Sequence, residues 1–284
     1  MTLSTLSVQS VMDISVEEFE RFAAFLEQRC GILLSAQKTY LVQSRLNKIL
    51  KEEKFATFTD LLNQLESDPS RGRLQERVLD AMTTNETLWF RDTYPFEILK
   101  NQIFVDYVNS KSSKPMRIWS AACSTGQEPY SISMCVDEYR SHNAQFSAQV
   151  LATDICTDVL SQAKTGSYDS LSIGRGLSLS RLERYFEKKE SEIWQVKTAI
   201  RSAVSFSHLN LLGSYSALGE LDVIFCRNVL IYFSAQRKEE ILTKMHQALK
   251  PGGVLILGAS ESIGALSHLF KMEHCRPGIL YRAL

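Results

Sequence analysis

What the chain lacks narrows its function first. It has no charge excess, with 32 basic and 32 acidic side chains. A general nucleic-acid binder carries a basic surplus, so the balance argues against that class and leaves only local basic patches. No apolar run approaches the roughly 20 residues that a membrane span needs. The opening MTLSTLSVQS lacks the basic start and apolar core of a secretory signal. The six cysteines form no CxxC pair, which indicates neither a zinc site nor a disulfide framework. These absences together predict a reduced, cytoplasmic protein without metal. A hydrophobic share of 44% is ordinary for a globular chain. Its 284 residues suffice for two domains of unequal size. There is no internal repeat and no low-complexity tract.

The first eighty or so residues read as all-helical. Ser15 and Glu18 have capping-box spacing, Phe19, Phe22 and Leu26 follow on one face, and Gly31 suits the stop. A second helix from about Ser35 to Glu53 buries Val42, Leu46, Ile49 and Leu50, with Arg45, Lys48 and Lys51 beside that face. Leu61, Leu62 and Leu65 mark a third helix ended by Asp68-Pro69. Leu74, Val78 and Met82 mark a fourth. Short loops between them predict a small bundle. The polar junction Thr83-Thr84-Asn85-Glu86-Thr87 then leads into Leu88-Trp89-Phe90-Arg91. Beyond it strands alternate with helices. Strands are expected at Arg117–Ala121, Gln149–Thr153, Leu221–Cys226 and Val254–Gly258, with helices at Glu128 to about Arg140 and Ala235–Leu249. That alternation predicts a parallel sheet covered on both faces. A hairpin around Arg276-Pro277-Gly278 is expected at the sheet edge. The stretch from about 184 to 208 falls outside the alternation, and 193–197 and 203–207 read as short antiparallel strands of a small insert.

Most of the chemistry is expected around RIWSAACSTGQEPYS (117–131). A short apolar strand enters a tight turn at Gly126 and a helix follows, which is how an α/β fold opens a nucleotide-type pocket. With a single glycine it is not the three-glycine pyrophosphate loop. S-adenosylmethionine fits such a turn, having an adenosine, an amino acid and a sulfonium but no phosphate. Asp154 ends the next strand, where an acid either accepts from a ribose diol or caps the following helix. Glu128 either favours the helix dipole or receives a ligand ammonium. Asn210, before the strand at 221–226, either pairs with an adenine edge or makes a turn. Arg227 and Asn228 interrupt an apolar run where a central strand ends, a common place for site residues, with Tyr232 just beyond. The alternative is a surface charge and an amphipathic core residue. Asn85, Thr87 and Arg91 form either an ordinary polar linker or one wall of a pocket at the junction. Arg45, Lys48 and Lys51 form either a solvated helix face or a dock for an acidic partner. Cys123 and Cys226 read as small fillers.

Six ordered stretches, TTNETLWFRD, IWSAACSTGQEPYS, ATDI, LNLL, FCRNVLIYF and LKPGGVLILGASES, together resemble the CheR family, methyltransferases that esterify glutamates of bacterial chemoreceptors. The resemblance implies an α/β class I (Rossmann-like) S-adenosylmethionine-dependent domain at 96–284. It carries a small antiparallel β-subdomain insert at about 184–208. An all-α domain at 1–82 and a linker at 83–95 that contributes to the cofactor site precede it. It implies that Asn85, Thr87, Arg91, Glu128, Asp154, Asn210, Leu211, Arg227 and Asn228 contact the cofactor or its product S-adenosylhomocysteine, around the Gly126 turn. Arg91 and Tyr232 would lie beside the methyl-transfer path. The basic second helix would dock the receptor's cytoplasmic methylation helix, and the protein is expected to act as a monomer. In two places the chain departs from the family. Gln127 stands where a second acid is frequent. The stretch EKKESEIWQVKTAIRSAV lacks the glycine-containing loop of members that tether to a receptor's C-terminal pentapeptide, so tethering is not expected. Rival expectations are a class I methyltransferase with another substrate and a non-catalytic module that senses the cofactor. Cys226-Arg227-Asn228-Val229 stands where amine methylases often carry an Asn/Asp-Pro-Pro-Tyr turn.

Overall fold

The computed structural model describes residues 12–67 and 72–284. The chain divides into two compact units, 1–83 and 84–284. In the first unit the helix Val16–Cys30 opens on a complete capping box between Ser15 and Glu18 and stops at Gly31, whose φ is 79°. Glycine reaches that left-handed conformation at no steric penalty. The helix Thr39–Glu53 buries Val42, Leu46, Ile49 and Leu50. Helices Phe58–Ser67 and Arg73–Met82 complete the unit. The expected stop at Asp68-Pro69 lies outside the described residues.

The second unit is built on a seven-stranded sheet. In chain order the ten strands of this unit are β1 (Met116–Ala121), β2 (Ala148–Asp154), β3 (Ser167–Asp169), β4 (Phe186–Lys188), β5 (Ile193–Val196), β6 (Val204–His208), β7 (Leu221–Cys226), β8 (Leu249–Leu257), β9 (Phe270–Cys275) and β10 (Gly278–Ala283). The main sheet runs β6-β2-β1-β7-β8-β10-β9. Its first five strands are parallel, and the β9–β10 hairpin closes one edge antiparallel. Successive residues of the central strands feed opposite cores. Ile118, Val223, Phe225, Val254 and Ile256 pack on one face. Trp119, Leu221, Ile224, Cys226 and Leu255 pack on the other. Both faces are covered, which explains why these strands read as nearly continuous apolar runs.

One expectation is corrected here. The stretch 203–207 is not a strand of the insert. Its residues form β6, which pairs parallel to β2 at the edge of the main sheet. Val204 is buried while Ser205, Ser207 and His208 are exposed. An edge strand with only one neighbour keeps an alternating pattern, and that pattern reads as antiparallel. The small antiparallel sheet is real but recruits an earlier segment: its order is β3-β5-β4, so Ser167–Asp169 takes the place expected for 203–207. The turns Tyr94–Ile98, Leu99–Ile103 and Phe104–Asn109 form one further helical run, for which the sequence reading had no assignment. Pro95 sits in its first turn, where a missing N–H is harmless.

Candidate active site

The parallel strands β1, β2, β6, β7 and β8 all end at one edge of the sheet. From β1 the chain winds outward through β2 to β6, and β7 then takes the opposite side of β1. A crevice opens at such a reversal, outside the carboxyl ends of the strands. The loops that follow β1, β2 and β7 meet there.

After β1 the chain turns through three left-handed residues, Ala122 at φ 57°, Ser124 at 51° and Gly126 at 96°. Non-glycine residues pay about 1–3 kcal/mol each for such conformations, which persist only when the surroundings enforce them. Asp154 is the enforcing group. Its Oδ2 accepts from the Ser124 N–H at 2.8 Å and its Oδ1 from the Cys156 N–H at 2.9 Å. One carboxylate at the end of β2 therefore fixes two loops. A Cβ at Gly126 would meet Tyr168 Oη at 3.0 Å and Ala163 Cβ at 3.1 Å, so packing as well as φ demands glycine. Ser124 Oγ donates to the Asn85 carbonyl at 2.8 Å, and Asn85 Nδ2 approaches Cys156 Sγ at 3.9 Å. The carbonyl of Asp154 accepts from Leu209 N–H at 3.0 Å, which brings the next loop alongside. There Asn210 Oδ1 accepts from Leu212 N–H at 2.9 Å, and Leu211 is buried.

The helix Gln127–Arg140 starts from the Gly126 turn. In its first turn Glu128 accepts from Ser120 Oγ at 2.7 Å and from Arg227 Nη1 at 3.0 Å. The Arg227 side chain is 1% exposed. Its Nη2 donates to Asp92 Oδ2 at 2.6 Å and to the Arg91 carbonyl at 2.8 Å. A guanidinium presents its donors in a rigid planar fork, so this one residue joins β7, the Glu128 helix and the segment 88–93. Glu128 is thus an ion-paired residue as well as a helix-start acid. Each of its oxygens keeps a further acceptor direction.

The segment that carries Arg91 is bent and braced. Phe90, Asp92 and Thr93 have φ of 48°, 65° and 55°. Phe90 N–H donates to Ser131 Oγ at 3.2 Å, and Trp89 N–H to the Arg175 carbonyl at 3.1 Å. The Arg181 guanidinium lies 3.7 Å from the centroid of the Phe90 ring. Arg91 is half-buried and its Nη1 donates to the Glu86 carbonyl at 3.3 Å. Thr87, also half-buried, lies between Asn85 and Arg91 in this segment.

Beyond β7, Asn228 is left-handed at φ 56°. The single helical turn Leu230–Tyr232 follows, with Tyr232 half-buried against the second core. Glu261, in the loop after β8, accepts from the N–H groups of Asn228, Val229, Leu230 and Gly258 at 2.7–2.9 Å. Among the described residues, two buried polar atoms here have no hydrogen-bond partner, Asn228 Oδ1 and Arg227 Nε. Cys123 and Cys226 are buried, and burial pushes both thiols well above the ordinary value. They are fillers rather than nucleophiles.

Asn85, Gly126 and Asp154 therefore meet through the loops after β1 and β2, and Arg91, Glu128 and Arg227 through one guanidinium. Asn210, Leu211, Asn228 and Tyr232 lie on the loops that leave β6 and β7, whereas Thr87 is placed only by its position in the 85–91 segment. The structure adds Asp92, Ser124 and Glu261, which sequence reasoning missed. Asp92 adjoins Arg91, and Glu261 stands in LKPGGVLILGASES, so both were on view without a stated role. Arg45, Lys48 and Lys51 belong to the helical unit. The three basic residues expected to dock a partner do not share one environment. Arg45 is half-buried and its guanidinium donates to the carbonyls of Met82 and Thr83 at 2.9 and 3.1 Å. The last carbonyls of a helix need such partners. Lys48 and Lys51 are exposed.

Comparison with known proteins follows the same division. Residues 17–83 match the CheR methyltransferase all-alpha domain, and residues 85–279 match the CheR methyltransferase SAM-binding domain. The chain is 53% identical to chemotaxis protein methyltransferase Cher2 of Pseudomonas putida over 269 residues, 94% of this chain and 98% of that one. It is 52% identical to chemotaxis protein methyltransferase 1 of Pseudomonas aeruginosa, over 96% and 100% of the two chains. Identity to the chemotaxis protein methyltransferase of Vibrio parahaemolyticus is 44%, over 96% and 99%. A class I methyltransferase sheet, a small antiparallel sheet and an all-α unit occur here in one chain, and with these matches they establish that the chain belongs to the CheR methyltransferase family.

Proposed function

We propose that this protein methylates glutamate side-chain carboxylates on the cytoplasmic methylation helices of chemoreceptors, forming glutamyl methyl esters for adaptation in chemotaxis. S-adenosylmethionine is the methyl donor and S-adenosylhomocysteine the product. The observation that carries the reading is the braced turn at Arg91, whose carbonyl is held by the buried Arg227 that also pairs with Asp92 and Glu128.

The residues present fit that cofactor. Two carboxylates, Asp92 and Glu128, pair with the buried Arg227 guanidinium, and a third, Asp154, holds the neighbouring Ser124 turn. An acidic floor suits a ligand with a sulfonium and an ammonium better than a pyrophosphate. Asn228 Oδ1 is a buried acceptor without a partner among the described residues, and buried acceptors ordinarily find a donor. In this reading Asp154 and Asn210 hold the adenosine end. Glu128, Arg227, Asn228, Asn85 and Thr87 hold the amino-acid end, with Leu211 and the Gly126 turn as walls.

Bound there, S-adenosylmethionine supplies an electrophilic methyl group. A receptor glutamate has a pKa of about 4.3 and arrives ionised, so no general base is needed. Arg91 orients that carboxylate, and the Tyr232 hydroxyl donates to one of its oxygens. The protein contributes alignment and exclusion of water. Too strong a contact from Arg91 would blunt the nucleophile, so its role is positioning.

Recognition of the receptor is assigned to the exposed Lys48 and Lys51, with Arg45 serving mainly to hold the end of the helix Arg73–Met82. Pentapeptide tethering is not part of the proposal. Residues 189–192 join β4 to β5 directly, with Ser191 and Glu192 left-handed at φ 59° and 60°. That tight turn supports independence from a tether. The test is transfer of labelled methyl from S-adenosylmethionine to a receptor cytoplasmic fragment with and without its C-terminal pentapeptide. Equal transfer to both is expected. Transfer only to the complete fragment contradicts tether independence, and cofactor binding without transfer means a sensor rather than an enzyme.

A further inference from the structure

Glu261 has no place in the mechanism above, yet four backbone amides converge on it. Its Oε2 accepts from Asn228 N–H at 2.7 Å and Gly258 N–H at 2.8 Å. Its Oε1 accepts from Val229 N–H at 2.9 Å and Leu230 N–H at 2.7 Å. Four convergent amides form a small anion-binding nest, and the carboxylate supplies the four acceptor directions they need. Three of the donors belong to the loop that leaves β7. They include the left-handed Asn228 and the first residues of the turn that presents Tyr232, whose own N–H donates to the Val229 carbonyl at 3.2 Å. Gly258 is shaped for this arrangement. A Cβ there would stand 2.6 Å from Glu261 Oε2 and 2.9 Å from Asn228 N.

We infer that Glu261 is a positioning residue for cofactor binding and methyl transfer. It acts through the 228–232 loop, aiming the Asn228 side chain and the Tyr232 hydroxyl without touching the ligand. A strained left-handed residue and a one-turn helix have little stability of their own. A carboxylate that satisfies their exposed amides fixes both at once. Glutamine is no substitute, because its NH₂ group would face two of the four donors and leave them unsatisfied. The inference rests on the assignment of Asn228 and Tyr232 to the site in the preceding section.

A double-mutant cycle tests it, read in S-adenosylhomocysteine affinity by calorimetry. Asn228→Gly removes the side chain and keeps the left-handed backbone. Glu261→Gln and Asn228→Gly are each expected to weaken binding about tenfold. The double variant should be no more than about threefold weaker than the poorer single one, because both remove the same positioned group. Losses that multiply to about a hundredfold, or a Glu261→Gln protein that binds like the wild type, overturn the inference. Should Glu261→Gln fail to fold, Gly258→Ala replaces it in the cycle and should reproduce its coupling with Asn228→Gly. A wild-type protein that binds the product yet methylates no receptor fragment refutes the substrate reading alone. The affinity cycle still decides the role of Glu261 in that case.

Discussion

At the residue scale, several residues beside the assigned site adopt conformations that L-amino acids avoid. Phe90, Asp92 and Thr93 flank Arg91, Ala122 and Ser124 precede the Gly126 turn, and Asn228 follows β7, all with positive φ. Such outliers cluster where geometry is imposed for a purpose. Here the imposing groups are named: Arg227, Asp154 and Glu261. Arg91 therefore has a backbone held in place, while its half-buried side chain bonds the Glu86 carbonyl at 3.3 Å. Arg91→Ala is expected to lower kcat for receptor methylation by about 10²-fold, because alignment of the reacting groups is lost. Product affinity should change much less, and calorimetry beside initial rates separates the two. Much of this was legible in the sequence. Arg227-Asn228 stood out because charge interrupts an apolar strand, and Asp154 because it ends one. Glu261 was not legible. Its partners are backbone amides, three of them 31 to 33 residues away, and backbone partners leave no trace in residue types.

At the element scale, the central strands were readable because each is buried on both faces, whereas β6 was misread because an edge strand alternates. The segment 94–109 carries no clean helical stripe, since Phe96, Ile98, Leu99, Ile103 and Phe104 are buried around several sides. Elements pack around the site through charge as well. Glu138, on the helix that begins at the Gly126 turn, accepts from Arg181 at 2.7 and 3.0 Å and from Lys100 at 2.9 Å. Burial alone would raise its carboxyl, but the bonds from Arg181 and Lys100 prevail and hold it below the usual range. Arg181 also braces Phe90, so this cluster links helix packing to the Arg91 turn. A depressed carboxyl contributes stability above its unfolded pKa of about 4.3 and loses it as pH falls through the lower folded value. Glu138→Gln should lower unfolding free energy by about 2 kcal/mol at neutral pH. The gap from wild type should close below about pH 4, as measured by urea unfolding across that range. A gap unchanged by pH would mean that the charge of Glu138 is not what stabilises the protein.

At the scale of the whole molecule, the 84–284 unit is assigned the chemistry, and the exposed Lys48 and Lys51 of the helical unit are assigned the receptor contact. Net charge is zero, so attraction to a receptor must be local, and local attraction between exposed charges weakens with salt. Reversing Lys48 and Lys51 to Glu should raise the KM for the receptor fragment several-fold at low salt and leave S-adenosylhomocysteine affinity unchanged. Arg45 is a poor choice for that test, because its loss would also uncap the carbonyls of Met82 and Thr83. An unchanged KM after reversal would remove the docking assignment. The central claim is the chemistry of the product bond. The most direct measurement is alkaline treatment of a receptor fragment labelled by the wild-type protein from methyl-labelled S-adenosylmethionine. Release of the label as volatile methanol is the predicted result, since a glutamyl ester hydrolyses under base. Label that stays on the protein through base would place the methyl on nitrogen or another stable position and contradict the account.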